Sequence, residues 1–418
     1  MKRESQQSSA GDQMKQKPEL LYLDLIKKII TLTCLLPICV PFHTVLANQP
    51  SANRIAMAPS VDEKAIVPLF KPGDTGSKNF RIPSLVCTLK GTLIALADRR
   101  PNGGKDLPAN IDLAIRRSTD NGKTWTPIQT IVDLYEPDGA SDAAMLVDRK
   151  TGRVWIAYTV GYNAGIAQAQ KGLTGRTAVS HMLCSEDDGI TWSSPINIGA
   201  QVKDPEFKWM GFGPGAGSSM ADGTLTFSCY ANTDGVKDLF AFAIISEDNG
   251  KTWKRTEPYT SYTCESQMVA LSDGRWMACA RDRKRGGTRM VAYSSDRGKT
   301  WTPMASEPQL PCPQCQAGLI RMTHPQAPKG LLVYTGPEGK PTGRTRGMVR
   351  ISDDDGKTWR FSQLVVPGSF AYSTPAVMAD GRIGLIYEHD HQEMRFIALD
   401  LGTLTNGAYP SSPLAKQQ

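Results

Sequence analysis

The residues in this sequence best suited to chemistry are a few arginines, several carboxylic acids and one tyrosine, set in strand-like or Gly-rich contexts. Arg81 lies in Phe80-Arg81-Ile82-Pro83, Arg281 in Ala278-Cys279-Ala280-Arg281-Asp282, and Arg344 in Thr342-Gly343-Arg344-Thr345-Arg346. One such arginine is ordinarily a surface ion pair. Three guanidinium groups drawn to one point would grip a carboxylate, because their planar donors match its two oxygens and they stay charged. Asp98 and Asp106 bracket a Gly-rich loop, Arg99-Arg100-Pro101-Asn102-Gly103-Gly104-Lys105, and a carboxyl there can reach a ligand to give and take a proton. Tyr372, in Phe370-Ala371-Tyr372-Ser373-Thr374-Pro375, is a phenol with an ordinary pKa of about 10, so attack at neutral pH needs an adjacent base. Glu265, in Thr263-Cys264-Glu265-Ser266-Gln267, is one of the carboxylates the chain offers. Cys312-Pro313-Gln314-Cys315 has the spacing of a metal knuckle, but no second pair or histidine follows nearby. No metal is expected there, only a local disulfide or two thiols.

Residues spread from 81 to 372 can meet only in a fold that returns repeatedly to one centre. Ser-x-Asp-x-Gly-x-Thr-Trp occurs five times, at Ser118 to Trp125, Ser185 to Trp192, Ser246 to Trp253, Ser294 to Trp301 and Ser352 to Trp359. In each copy the Ser and Asp side chains can fold back onto backbone N–H groups while Gly supplies a positive φ, which makes a turn. The Trp-to-Trp steps (125 to 192, 192 to 253, 253 to 301, 301 to 359) are 67, 61, 48 and 58 residues. That length suits a four-stranded sheet with loops, the blade of a β-propeller. Between the turns run short apolar segments such as Val154-Trp155-Ile156-Ala157-Tyr158 and Ile383-Gly384-Leu385-Ile386-Tyr387, and Gly165 to Lys171 is the one stretch read as a short helix. Residues 62 to 401 at a mean step of 234/4, or 58.5, give about six blades. The blade without a repeat fits a ring closed by strands from both chain ends. The expected class is therefore all-β, a six-bladed propeller over 62–401 followed by a polar tail over 402–418.

The chain has 418 residues, 40% hydrophobic and 21% charged, with a net charge of +7 that is spread along the sequence and gives no support to a nucleic-acid partner. Lys27 and Lys28 precede the apolar run Ile29 to Leu46, and Val45-Leu46-Ala47 resembles a cleavage site. An export signal over 1–47 and a leader over 48–61 are expected, leaving no membrane span in the mature chain and an exported product. Seven cysteines follow Ala47, an odd number that excludes complete internal pairing.

Phe-Arg-Ile-Pro followed by several of these repeats resembles the bacterial exo-sialidases, or neuraminidases, and the likeness spans essentially the whole mature chain. The resemblance implies a six-bladed propeller that removes terminal sialic acid from glycans without a cofactor, as a monomer. It assigns Arg81, Arg281 and Arg344 to the substrate carboxylate, with Arg346 a weaker candidate than Arg344. Tyr372 becomes the nucleophile and Glu265 its base. A neutral phenol suits an anionic substrate that would repel an attacking carboxylate. Asp106 is the implied acid and base, while Asp98 is expected to pair with Arg100. Asp142, in Gly139-Ala140-Ser141-Asp142-Ala143, resembles the carboxylate near the N-acetyl and O4 groups, and Glu388 the one that orients the first arginine. Trp209 and Phe212 fall where the family lays apolar surface, and Arg100 is a further pocket candidate. Two alternatives remain: a sialic-acid-binding propeller without catalysis, and a trans-sialidase.

Overall fold

The computed structural model describes residues 61–235, 237–339 and 343–413, so the expected signal and leader before residue 61 lie outside it. Six antiparallel sheets follow one another along the chain. Blade 1 runs Asn79–Cys87, Leu93–Arg100, Asp112–Ser118 and Gln129–Val132, each strand pairing with the next. Blades 2 to 6 begin with Gly139–Val147, Trp209–Phe212, Thr263–Ala270, Gly318–His324 and Ser373–Val377. The last blade takes its fourth strand from the opposite end of the chain, where Val67–Phe70 pairs antiparallel with Glu393–Leu399. Five repeats therefore serve six blades, because the closing strand enters from upstream and needs no turn.

Each repeat is a turn between the third and fourth strands. In the first, Ser118 Oγ accepts from Gly122 N–H (2.9 Å) and donates to Asp120 (2.8 Å), whose carboxylate also accepts from Thr124 N–H (2.9 Å). The same bonds recur around Asp187, Asp248, Asp296 and Asp354. Asn121 and Gly122 both take positive φ, at 59° and 81°, as the turn requires.

Each of the six junctions between adjacent blades holds an apolar cluster. Phe212, Phe227 and Trp253 of blade 3 meet Leu146 and Trp155 of blade 2, and Leu331 and Ile351 of blade 5 meet Leu385 and Ile397 of blade 6. A strand covered on both faces reads as a continuous apolar run, and every residue of Val154–Gly161 is buried. On the axis, the segment 213–216 touches all six blades. Ser84 Oγ donates to Gly215 O (2.5 Å), Gly215 pairs with Ala144, Gly213 N–H donates to Ser228 O (2.7 Å), and Pro214 O accepts from Gln267 (3.0 Å) and Gln316 (3.2 Å). A Cβ on Gly215 would lie 3.1 Å from Thr374 Oγ1 and 2.8 Å from Gln316 Nε2, so only glycine fits. This plug separates one face of the ring from a cavity of about 410 Å³ on the other, lined by the later residues of the same first strands, including Leu85, Leu146, Val269, Ile320 and Val377.

Two expectations are corrected. Residues 165–171 form no helix, only a turn closed by Ala169 N–H on Gly165 O (2.9 Å). The segment read as a polar tail over 402–418 is packed where it begins: the helix Leu401–Leu404 straddles the expected boundary with both leucines buried in the blade 5–6 cluster, and Tyr409 reaches Asp353 (2.7 Å).

Candidate active site

The first strands deliver side chains to one face of the ring, and three of them break register where they do so. Irregularities fall between Arg81 and Ser84 in blade 1, Ser141 and Ala144 in blade 2, and Thr263 and Ser266 in blade 4. A β-bulge of this kind bends the strand and re-aims a side chain. Ile82 takes φ 60° and Asp142 φ 56°. For a β-branched residue that conformation is strained, costing about 1–3 kcal/mol. A carboxylate holds it in place: Ile82 N–H donates to Glu388 Oε1 (2.8 Å).

Tyr372, immediately before the first strand of blade 6, stands where the chemistry converges. Its hydroxyl donates to Glu265 Oε1, and Arg281 Nη1 donates to the same hydroxyl (3.2 Å) and to Glu265 Oε2 (2.8 Å). The Arg81 and Arg344 guanidinium carbons lie 5.5 and 5.2 Å from the centre of the tyrosine ring. Arg81 pairs with Glu388 (3.3 Å) and Asp106 (3.3 Å). Arg344 donates to the Gln314 carbonyl (2.9 Å) and has no carboxylate partner among the described residues. Arg346, its rival, turns to Glu338 (3.5 Å) and is half exposed.

The charges sort as this geometry demands. Burial pushes Glu265 up, but Arg281, the Tyr372 hydrogen bond and Arg344 outweigh it and hold the carboxyl below its usual range. Burial and Glu265 push the Tyr372 phenol well above its ordinary value despite the three arginines, so it stays neutral. Glu388 is also buried, yet Arg81, His391 and the Ile82 N–H bring it down to about 2.

A second carboxyl group of residues lies beside blades 1 and 2. Asp98 is fully buried, accepting from Arg100 (3.1 Å) and Ser141 (2.6 Å), and burial raises it to about 6. Asp106 sits on the loop with its side chain 77% exposed, reached by both Arg81 and Arg100. Arg100 is 1% exposed, and its donors go to Asp98, Asp106 and the carbonyls of Gly104 and Lys105 (both 3.0 Å), so it shapes the loop from behind. Asp142 accepts from Tyr230 (2.9 Å), and burial, with Asp98, Glu265 and Asp106 nearby, raises it to about 8.

The aromatic assignments need correction. Phe212 is fully buried between blades 2 and 3 against Phe227, and Trp209 is 3% exposed in a cluster with Tyr230 and Cys264. Their strand lies inside a blade junction, so both pack the core and neither offers a free face to a ligand. Sequence reasoning also passed over Tyr230, whose strand reads as apolar and whose hydroxyl becomes visible only beside Asp142. The Cys312 and Cys315 sulfurs are free thiols.

Comparison with known proteins agrees with this architecture. Residues 99–385 match the BNR repeat-like domain. A sialidase of Bacteroides fragilis is 37% identical over 347 residues, covering 79% of this chain and 63% of its own, and a sialidase of Micromonospora viridifaciens is 33% identical, covering 76% and 50%. The solved structure of a Hadza microbial sialidase superposes with a TM-score of 0.75 at 35% identity, covering 79% of this chain and 68% of that one. The fold and site define a six-bladed propeller of the BNR repeat-like class. The chain belongs to the bacterial sialidase family. It spans about two thirds and about half of the lengths of the two curated relatives.

Proposed function

We propose that the protein is an exo-α-sialidase that hydrolyses terminal sialic acid from glycoconjugates with retention, through a covalent intermediate on Tyr372. The observation that carries this is the Tyr372 hydroxyl held between Glu265 and Arg281, with Arg81 and Arg344 beside its ring. The three arginines bind the substrate carboxylate and set the anomeric carbon before the phenol. The phenol oxygen then attacks that carbon as its proton passes to Glu265, which its neighbours keep ionised and ready to accept it. Asp106 protonates the departing glycan oxygen and afterwards takes a proton from the water that releases sialic acid, so both steps share one carboxyl. Its exposure suits exchange with solvent between the two steps. Sialylated glycans are the proposed substrates, and export after cleavage near Ala47 the proposed route, tested by N-terminal sequencing of secreted protein.

The test is trapping with a 3-fluorosialosyl fluoride followed by peptide mass analysis. The expected result is one adduct, on Tyr372. An adduct on a carboxylate would overturn the nucleophile assignment, and binding of sialosides without turnover would leave a lectin.

A further inference from the structure

Tyr372 itself is held on one side by blade 6, where Ala371 N–H donates to Glu388 O (3.0 Å) and Glu388 N–H to Tyr372 O (2.9 Å). The next residue, Ser373, is held by a side chain from a different blade. Ser373 N–H donates to Gln316 Oε1 (2.9 Å), and Gln316 Nε2 donates to Ser373 O (3.2 Å) and to the plug carbonyl of Pro214 (3.2 Å). Gln316 is 1% exposed, and both ends of its amide are used. The residues just before it face the same site. Gln314 O accepts from Arg344, and the fully buried Cys315 packs against Tyr372, Ala371 and Ile82.

Beneath this segment lies Arg289, fully buried. Its donors go to the carbonyls of Cys315 (2.9 Å), Glu265 (3.2 Å) and Cys279 (2.9 Å) and to the Cys312 sulfur (3.6 Å). A buried guanidinium with these partners ties the strand that carries Glu265 and the strand that carries Arg281 to the segment 312–316. That segment in turn fixes Arg344 and the peptide after Tyr372.

We propose that Gln316 is a positioning residue for the nucleophile: through the two hydrogen bonds it makes to Ser373, it sets the Tyr372 hydroxyl against Glu265, with Arg289 anchoring the segment from below. The inference rests on Tyr372 acting as nucleophile. Attack requires reacting atoms to be placed within a fraction of an ångström, and misplacement by about 1 Å costs on the order of 100-fold. Arg81 and Arg281 are held by Glu388 and Glu265 independently of Gln316, so recognition of the carboxylate survives its loss.

The experiment compares Gln316→Met and Gln316→Glu with Gln267→Met in the full chain. Gln267 grips the same plug, through Pro214 O (3.0 Å) and Ala216 N–H (3.2 Å), but makes no bond to Ser373. Thermal unfolding, kcat on an aryl sialoside and the inhibition constant of free sialic acid are measured for each. The expected result is a fall in kcat of about 10- to 100-fold in both Gln316 variants, with the inhibition constant within about threefold of wild type. Gln267→Met is expected to lose comparable thermal stability and keep kcat within about threefold. Folded Gln316 variants with unchanged kcat would overturn the proposal. So would kcat and sialic-acid binding falling together, the same kcat loss in Gln267→Met, or failure of both Gln316 variants to fold, since each would assign the residue to general stability. A wild-type chain without sialidase activity would instead overturn the parent function, and the two failures are thereby told apart.

Discussion

The two sides of the site use the same functional group to opposite ends. On the side formed by blades 4, 5, 6 and the start of blade 1, Glu265 and Glu388 are buried among arginines and stay ionised, Glu388 down to about 2. Beside blades 1 and 2, Asp98 is fully buried and Asp142 partly buried, yet they rise to about 6 and about 8. Burial penalises all four. What differs is the company: Glu388 has Arg81 and a backbone N–H, while Asp142 has three other carboxyls and a tyrosine hydroxyl. Burial alone therefore does not set the charge of an acid; the balance of guanidinium groups, other carboxyls and hydrogen bonds around it does. The contrast suits a substrate with one anionic end and one neutral, hydrogen-bonding end.

The largest way to break this contrast is to remove the phenol. Tyr372→Phe or Glu265→Gln should lower kcat on an aryl sialoside by about 10²–10⁴-fold while leaving the fold intact by circular dichroism. Asp106→Asn should fall as far on natural glycans but recover in part on a substrate with a good leaving group. Recovery at Asp98→Asn in its place would move the acid role to Asp98. Next in size is Arg81→Met, which leaves the fully buried Glu388 carboxylate without its guanidinium and should cost about 3–5 kcal/mol of stability in denaturant melts. Restoration of stability in the double variant with Glu388→Gln would sharpen the point.

The pH dependence of stability separates the two sides by sign. Glu388, at about 2 when folded against about 4.3 unfolded, contributes stability that is present above the unfolded value and is lost as pH falls toward 2. Asp142, at about 8 when folded against about 3.9 unfolded, does the reverse: the folded state holds a proton the unfolded state has released, so this stability is fully present below the unfolded value and lost as pH rises through 8. Melting temperatures of Asp142→Asn should thus lose less than wild type between pH 5 and 8. A parallel decline in both proteins would contradict the assignment of this carboxyl. The smallest effect is expected at the rim, where Asp120→Ala opens a turn and should lower the melting temperature without changing kcat.

Much of the architecture could be read from the chain because it repeats. Five copies of one turn gave the blade length, and the blade that lacked one pointed to closure by a strand from the other end, which is Val67–Phe70. The candidate site residues were legible for a different reason: Arg81, Glu265, Arg281, Arg344 and Tyr372 stand in motifs that resemble a family, and the structure brings them together. Side-chain direction was not legible. Phe212 and Trp209 stand on one short strand, but period-2 alternation along four residues does not say which face meets the neighbouring blade. The helix expected at 165–171 is a single turn instead, and the backbone of Gly165 packs so closely on Leu107 that a side chain there would clash, a tertiary fact with no local sign. Gln316 looked like any polar residue after a cysteine, and only the register of blades 5 and 6 gives it Ser373 as a partner.

Gly-Pro-Gly at 213–215 does more than fill the axis. By stopping the bore of the ring it leaves the face that carries Tyr372 and its arginines with no passage to the cavity on the other side. Under the proposed activity, a sugar entering on the Tyr372 side would have to leave the way it came, and a polymer could not be threaded through to present an interior linkage. A bore closed in this way suits the proposed removal of terminal rather than interior sugars, a constraint the backbone would impose before any side chain acts.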